Sequence, residues 1–100
     1  MTAAGTGAQG HGGTEMHVSV VSPEQALFDG DATAVVAPAF DGEVGILPRH
    51  APFLTLLGAG ELVIRSARGS RRFRVDGGFL QVVGDRVRVV AEQAGERAAS

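Results

Sequence analysis

Apolar and polar residues alternate along much of the chain with a period of two. In the segment ELVIR, Leu62 and Ile64 fall on one side of an extended chain, and in RFRV, Phe73 and Val75 do the same. The alternation recurs in HVSVVS at residues 17–22 and in RVRVV at residues 86–90. Successive side chains of a strand point to opposite faces, so this pattern predicts strands with one buried face.

Two further segments, DATAVVA at residues 31–37 and FLTLL at residues 53–57, are mainly apolar, which predicts strands buried on both faces or nearly so. Turn-forming clusters separate the strand candidates at intervals of about ten residues, a spacing typical of a sandwich or barrel. These clusters are Ser22-Pro23, Asp29-Gly30, Asp41-Gly42, Gly58-Ala59-Gly60, Arg68-Gly69-Ser70, Asp76-Gly77-Gly78 and Gly84-Asp85. No helical apolar spacing continues past a Gly or Pro. The predicted fold class is therefore all-β, a small antiparallel β-sandwich.

The length of 100 residues suits one domain. Residues 1–15 form a leader of mainly Gly, Thr and Ala that cannot bury enough apolar surface to fold, and we expect it to be disordered. Residues 16–91 hold the predicted sandwich. Residues 92–100 contain helix-forming residues but are too few for a stable isolated helix, so we expect a short tail.

Composition excludes several classes of protein. The formal net charge of -2 gives no global attraction to nucleic acid or to an anionic membrane. The absence of cysteine excludes disulfides, thiol catalysis and cysteine metal sites. No apolar run approaches the roughly 20 residues of a membrane span, and the amino end lacks a signal peptide. We expect a soluble intracellular protein, without direct membrane insertion.

The residues that could carry chemistry form no recognisable site. The three histidines, His11, His17 and His50, have none of the spacings of a metal motif. No serine lies in a GxSxG-type turn. The carboxylate pairs at residues 29 and 31 and at residues 41 and 43 flank glycines, where acids favour turns. We therefore predict no catalytic residue, no metal and no cofactor.

A basic stretch falls within one predicted hairpin. Its members are Arg65, Arg68, Arg71, Arg72 and Arg74. Arg86 and Arg88 could join the same outer face. Such a stripe could bind phosphates, but no Tyr or Trp interleaves and Phe73 should face inward, so a solvated face or a charged edge is favoured. We predict no nucleic-acid partner.

The segment DGEVGILPRHAP, residues 41–52, is dense in Gly and Pro. Pro48 and Pro52 fix backbone angles, and Gly42 and Gly45 permit conformations closed to other residues. The segment is therefore interpreted as a stiff connection between strands. Its apolar residues either close the core, which the pattern slightly favours, or form an exposed contact patch.

Five segments in order resemble the epsilon subunit of F-type ATP synthases. They are VVSPEQALFDG, DGEVGILPRHAP, GELVIR, GGFLQV and VRVVAE, which together cover residues 20–92. The resemblance implies an amino-terminal β-sandwich of about ten short strands in two sheets. It also implies a non-catalytic central-stalk subunit, placed between gamma and the c-ring, that couples proton-driven rotation to ATP synthesis at the cytoplasmic face of the bacterial plasma membrane.

The resemblance also implies two contact regions. The region toward the c-ring is the loop with the recurrent acid at Glu43, comprising Pro38, Asp41, Gly42, Glu43, Val44 and Gly45. The region toward gamma is the segment that follows, comprising Ile46, Leu47, Pro48, His50, Ala51, Pro52 and Phe53. Contact with the alpha/beta catalytic head would be indirect.

The chain departs from the family at its carboxyl end, where epsilon subunits usually continue into a hairpin of two helices that inhibits ATP hydrolysis and in some members binds ATP. No residue here matches that hairpin, so neither property carries over. Two alternatives stay open beside the rotor subunit. One is a stand-alone β-sandwich that binds a ligand, and the other is a hydrolase-like enzyme, for which no nucleophile and base pair is found.

Overall fold

The computed structural model describes residues 15–97, which form eight β-strands. The strands are β1 (Met16–Val21), β2 (Ala26–Ala32), β3 (Ala34–Ala39), β4 (Gly42–Ile46), β5 (Phe53–Leu56), β6 (Ala59–Ser66), β7 (Gly69–Val83) and β8 (Arg86–Arg97). Residues 1–14 of the leader predicted at residues 1–15 lie outside the described residues, as do residues 98–100 of the predicted tail.

The strands form one continuous hydrogen-bonded sheet that folds into two layers. The order is β2-β1-β8-β7-β6-β3-β4, and β5 also pairs with β7. The carboxyl half of β7 pairs with β5, whereas its amino half pairs with β6. β8 pairs with β7 on both sides of its middle, and β1 pairs in parallel with the amino half of β8 only. The first layer thus holds β2, β1, the amino half of β8, the carboxyl half of β7, and β5. The second layer holds the amino half of β7, the carboxyl half of β8, and the strands β6, β3 and β4.

Because β7 and β8 serve both layers, the layers contain ten strand segments within residues 15–97, which agrees with the predicted β-sandwich. The passage between the layers occurs at Gly77 and Gly78, with φ of 75° and 106°. Both glycines lie inside β7, so the turn predicted at residues 76–78 is wrong. The chain does not reverse there, because β7 and β8 keep their pairing on both sides of a local bend.

The core lies between the two layers, and the alternation identified most of it. Val18, Leu62, Phe73 and Val87 are all essentially inaccessible, as predicted. The turns predicted at residues 22–23, 41–42, 68–70 and 84–85 do connect strands. Asp29-Gly30 does not form a turn, since both residues pair with β1 inside β2.

The carboxyl end of the described chain is a strand rather than a separate tail. β8 continues past residue 91 to Arg97 because its carboxyl half pairs with the amino half of β7. Glu96 on β8 accepts a hydrogen bond from the Arg71 guanidinium on β7. The same guanidinium lies 5.5 Å from the Phe28 ring centroid and 5.6 Å from that of Phe73. Arg71 therefore covers one open end of the core.

The Glu96 carboxylate should make stability depend on pH. The hydrogen bond from Arg71, reinforced by its charge, lowers the pKa of Glu96. Because the folded-state pKa lies below the unfolded-state value, the stabilisation is full above the ordinary range of glutamate and is lost as pH falls through the lowered pKa. We expect Glu96→Gln to lower the thermal unfolding midpoint at neutral pH but not in strong acid. An equal difference at both pH values would contradict this assignment.

Candidate functional site

The β3–β4 hairpin carries the residues predicted to face the c-ring. Pro38 lies opposite Glu43 and Ala39 opposite Gly42, so the turn at its tip is formed by Phe40 and Asp41. Gly42 has a φ of 133°, which favours glycine. Phe40 is 66% exposed, and Asp41, Gly42, Glu43 and Gly45 are also exposed. Pro38 and Val44 are half-buried. The hairpin thus presents an aromatic ring beside two carboxylates.

The residues predicted to face gamma are divided between core and surface. Ile46 ends β4 with 0% exposure, so its side chain is not available for a contact. The prediction for Ile46 is therefore wrong, because alternation along β4 turns this residue inward. Leu47 is 61% exposed. Ala51 and Pro52 are exposed, and Pro48 is half-buried.

Local hydrogen bonds and ring contacts fix the connection from β4 to β5. Arg49 has a φ of 69°, and its backbone N–H donates to the Asp85 carboxylate at 3.0 Å. The His50 N–H donates to the Leu47 carbonyl at 3.1 Å. The half-buried His50 ring lies 5.5 Å, centroid to centroid, from Phe53, which packs against the core. These contacts give the segment a defined shape on the body of the sandwich.

An exposed apolar face adjoins both predicted regions. On β5, Leu54 is 66% exposed and Leu56 is 61% exposed. Leu56 pairs with Phe79 on β7, and both side chains point out of the first layer. The Phe40 N–H donates to the Leu56 carbonyl at 3.0 Å, which places the hairpin tip beside this surface. We call the apolar face the set Phe40, Leu54, Leu56, Phe79 and Val83.

The sequence analysis missed most of the apolar face. FLTLL was predicted to be buried on both sides, or nearly so, which is wrong because no strand or loop among residues 15–97 covers the outer side of β5. Alternation in Phe79-Leu80-Gln81-Val82-Val83 was a usable signal, since Leu80 and Val82 are in the core while Phe79 and Val83 point outward. An exposed cluster of large apolar residues on a small domain marks an interaction site.

The remaining polar groups of the described residues form only small local clusters. His17 contacts the carboxylates of Asp29 and Asp31, all on the outer side of the first layer. Residues 15–97 contain no group of three or more His, Cys, Asp or Glu side chains placed to hold a metal ion. No helix in that range could cross a membrane. A cleft of ≈ 600 Å³ between β2 and the β6–β7 turn is lined by charges of both signs.

The arginines are divided between the two layers. Arg65, Arg72 and Arg74 point outward from the second layer. Arg86 and Arg88 pair with His17 and Ser19 of β1 and lie on the outside of the first layer. The expectation of one shared outer face is therefore wrong, because the bend in β7 and β8 assigns their two halves to different layers.

Comparison with known proteins decides the family. Residues 15–97 match the family model described as the β-sandwich domain of the ATP synthase delta/epsilon chain. This chain belongs to that family. The ATP synthase epsilon chain of Alkalilimnicola ehrlichii is 46% identical to this delta/epsilon sandwich over 80 residues, which cover 79% of this chain and 57% of the relative. The chain thus spans little more than half the length of that relative.

Solved structures show the same delta/epsilon fold. A chain in the cryo-EM structure of Euglena gracilis mitochondrial ATP synthase, OSCP/F1/c-ring in rotational state 1, superposes with a TM-score of 0.78 at 19% identity, covering 91% of this chain and 59% of that one. A chain of the central stalk/c-ring of Tetrahymena thermophila mitochondrial ATP synthase gives a TM-score of 0.69 at 20% identity, covering 80% and 65% respectively.

Proposed function

We propose that this protein is a non-catalytic subunit of the central stalk of an F-type ATP synthase. In this role it links gamma to the c-ring and couples proton-driven rotation to ATP synthesis at sites held by other chains. It would act as a peripheral subunit at the cytoplasmic face of the bacterial plasma membrane. Family membership and the epsilon-chain relative support the proposal. The observation that carries it is the exposed apolar face, because such a cluster on a small domain marks an interaction site.

The apolar face, apart from Phe40 at the hairpin tip, is the proposed contact with gamma. It extends the sequence-based region from Leu47 and Pro52 onto Leu54, Leu56 and Phe79. Apolar area should supply most of the affinity, because full burial of a leucine-sized side chain contributes about 1.5–3 kcal/mol. The fixed connection from β4 to β5 lets this surface dock without a large ordering cost.

The tip of the β3–β4 hairpin is the proposed contact with the c-ring. Asp41 and Glu43 provide charge that can select a register on polar ring loops, and Phe40 provides apolar area at the same tip. An exposed ion pair contributes only about 0.2–1 kcal/mol. The carboxylates should therefore orient the contact more than they strengthen it.

Co-purification with gamma from the same organism tests the proposal. We expect the two proteins, expressed together with a tag on gamma only, to elute as one complex in gel filtration. An untagged chain that stays monomeric in the presence of folded gamma would contradict the proposal. Such a result, together with a saturable small ligand, would favour the stand-alone binding module.

Neutralising Glu43 should have a smaller effect than removing an exposed apolar side chain. We expect Glu43→Gln to weaken assembly by about two- to five-fold, as for the loss of one exposed ion pair. Leu47→Ser should weaken it more, because Leu47 is 61% exposed and can bury area against gamma. Reconstitution of stalk complexes at graded protein concentrations measures both effects. A larger loss of assembly with Glu43→Gln than with Leu47→Ser would refute this division of roles.

A further inference from the structure

Positive charge is concentrated on the outer side of the second layer, along the β6–β7 hairpin from its turn to Arg74. Arg65 on β6 and Arg72 and Arg74 on β7 point outward, since the residues beside them in sequence, such as Ile64 and Phe73, are in the core. Arg68 lies in the turn that joins the two strands and is also exposed.

Most of this charge is not neutralised within the described chain. Arg72 donates to the Glu61 carboxylate at 2.9 Å, between Nη1 and Oε1. Within residues 15–97, however, no carboxylate forms an ion pair with Arg65, Arg68 or Arg74. Three guanidinium groups on one hairpin therefore remain available to an external anion.

Arg65 and Arg68 lie away from the surface proposed for the c-ring. Arg65 is paired with Ala34, at the start of β3, whereas Asp41 and the tip of the β3–β4 hairpin follow the end of that strand. Arg74 lies nearer the tip, because it is opposite Glu61 on β6. A partner that docks at Arg65 and Arg68 would not compete with one at the tip.

We propose that Arg65, Arg68, Arg72 and Arg74, called here the arginine face, form a docking surface for an extended acidic segment of a partner protein. Alternate residues of a strand are about 6.5–7 Å apart, so Arg72 and Arg74 match carboxylates at alternate positions of an extended segment. Arg72 would exchange its contact with Glu61 for a carboxylate of the segment. The planar guanidinium group can also bind a carboxylate through two parallel hydrogen bonds.

Two observations favour a protein segment over a nucleic acid. Single-stranded nucleic acids are held largely by stacking on exposed aromatic rings. The chain has no Tyr or Trp, and Phe73, between Arg72 and Arg74, is 0% exposed. The net charge of -2 also opposes long-range attraction of a polyanion, whereas a short acidic segment needs only the local excess of positive charge.

Fluorescence anisotropy with a labelled decaglutamate peptide tests the arginine face. We expect saturable binding at low ionic strength that weakens as salt is added. The double variant Arg65→Gln/Arg74→Gln should bind at least about five-fold more weakly. The matched control is Arg86→Gln/Arg88→Gln, which removes the same charge from exposed positions of the first layer and should change binding by less than about two-fold.

Three outcomes would overturn the inference: no binding of the peptide, equal losses in the two double variants, or tighter binding of single-stranded DNA or phosphatidylserine vesicles than of the peptide. Thermal unfolding of each variant verifies that it is folded. Arg68→Gln, in the exposed turn, provides a second variant and should also weaken binding. None of these measurements involves gamma, so their failure would leave the proposed function intact.

Discussion

Replacing Gly78 with alanine is expected to lower the free energy of unfolding by about 3 kcal/mol or more. A Cβ atom at this position would lie 2.0 Å from the Val90 carbonyl oxygen and 2.8 Å from the Ala91 Cα. Both neighbours are backbone atoms, so no side-chain rotation relieves the overlap. The φ of 106° adds strain for any L side chain. The β7–β8 ladder must therefore separate where the strands pass between layers.

Gly95→Ala is the matched control for Gly78→Ala. Gly95 lies in β8, a Cβ atom there would meet nothing within 4 Å, and its φ is not positive. We expect this variant to change the free energy of unfolding by less than about 0.5 kcal/mol. Chemical denaturation followed by circular dichroism measures both variants. Equal midpoints for the two would show that the ladder tolerates a side chain at Gly78.

Replacing both Leu54 and Leu56 with serine should abolish most of the affinity for gamma while leaving the sandwich folded. Both side chains are more than half exposed in the free protein, at 66% and 61%, so their loss leaves no cavity. If both become buried against gamma, the double variant should lose on the order of 2–4 kcal/mol of binding free energy, or roughly 30- to 1,000-fold in affinity.

Arg88→Ser is the control for the leucine variant, because it places serine on the outer side of the same layer, on β8, which β7 separates from β5. We expect it to bind gamma within about two-fold of the unaltered chain. Titration of each protein against tagged gamma measures its affinity, and thermal unfolding shows whether it is folded. Together they distinguish a lost contact from a lost fold. Undiminished binding by Leu54→Ser/Leu56→Ser would exclude the apolar face as the gamma contact.

The fold class was predictable because alternation depends on local geometry. Positions such as Leu62, Ile64 and Phe73 are apolar every second residue, and each is in the core. The two long strands were not predictable in the same way. Asp76-Gly77-Gly78 has the composition of a hairpin turn, and only the continued pairing of β7 with β8 on both sides turns it into a bend.

The candidate surfaces were predictable only in part, because exposure depends on which neighbours cover a strand. FLTLL has the same composition whether its outer side meets another layer or water. In the structure no further layer of residues 15–97 covers the outer side of β5, so Leu54 and Leu56 are exposed. Ile46 shows the opposite error. Its place in a resemblance-based contact segment suggested a surface role, although alternation with Gly45 and Leu47 turns it inward.

The sharing of β7 and β8 has a mechanical consequence. In a sandwich joined only by interlocked side chains, a sideways load can make one sheet slide over the other. Here the same two strands, β7 and β8, pair on both sides of the bend, from Arg72 opposite Arg97 to Val83 opposite Arg86. A force applied to either layer is therefore transmitted to the other through the covalent backbone of β7 and β8. One layer can slide over the other only if the hydrogen bonds between these two strands break.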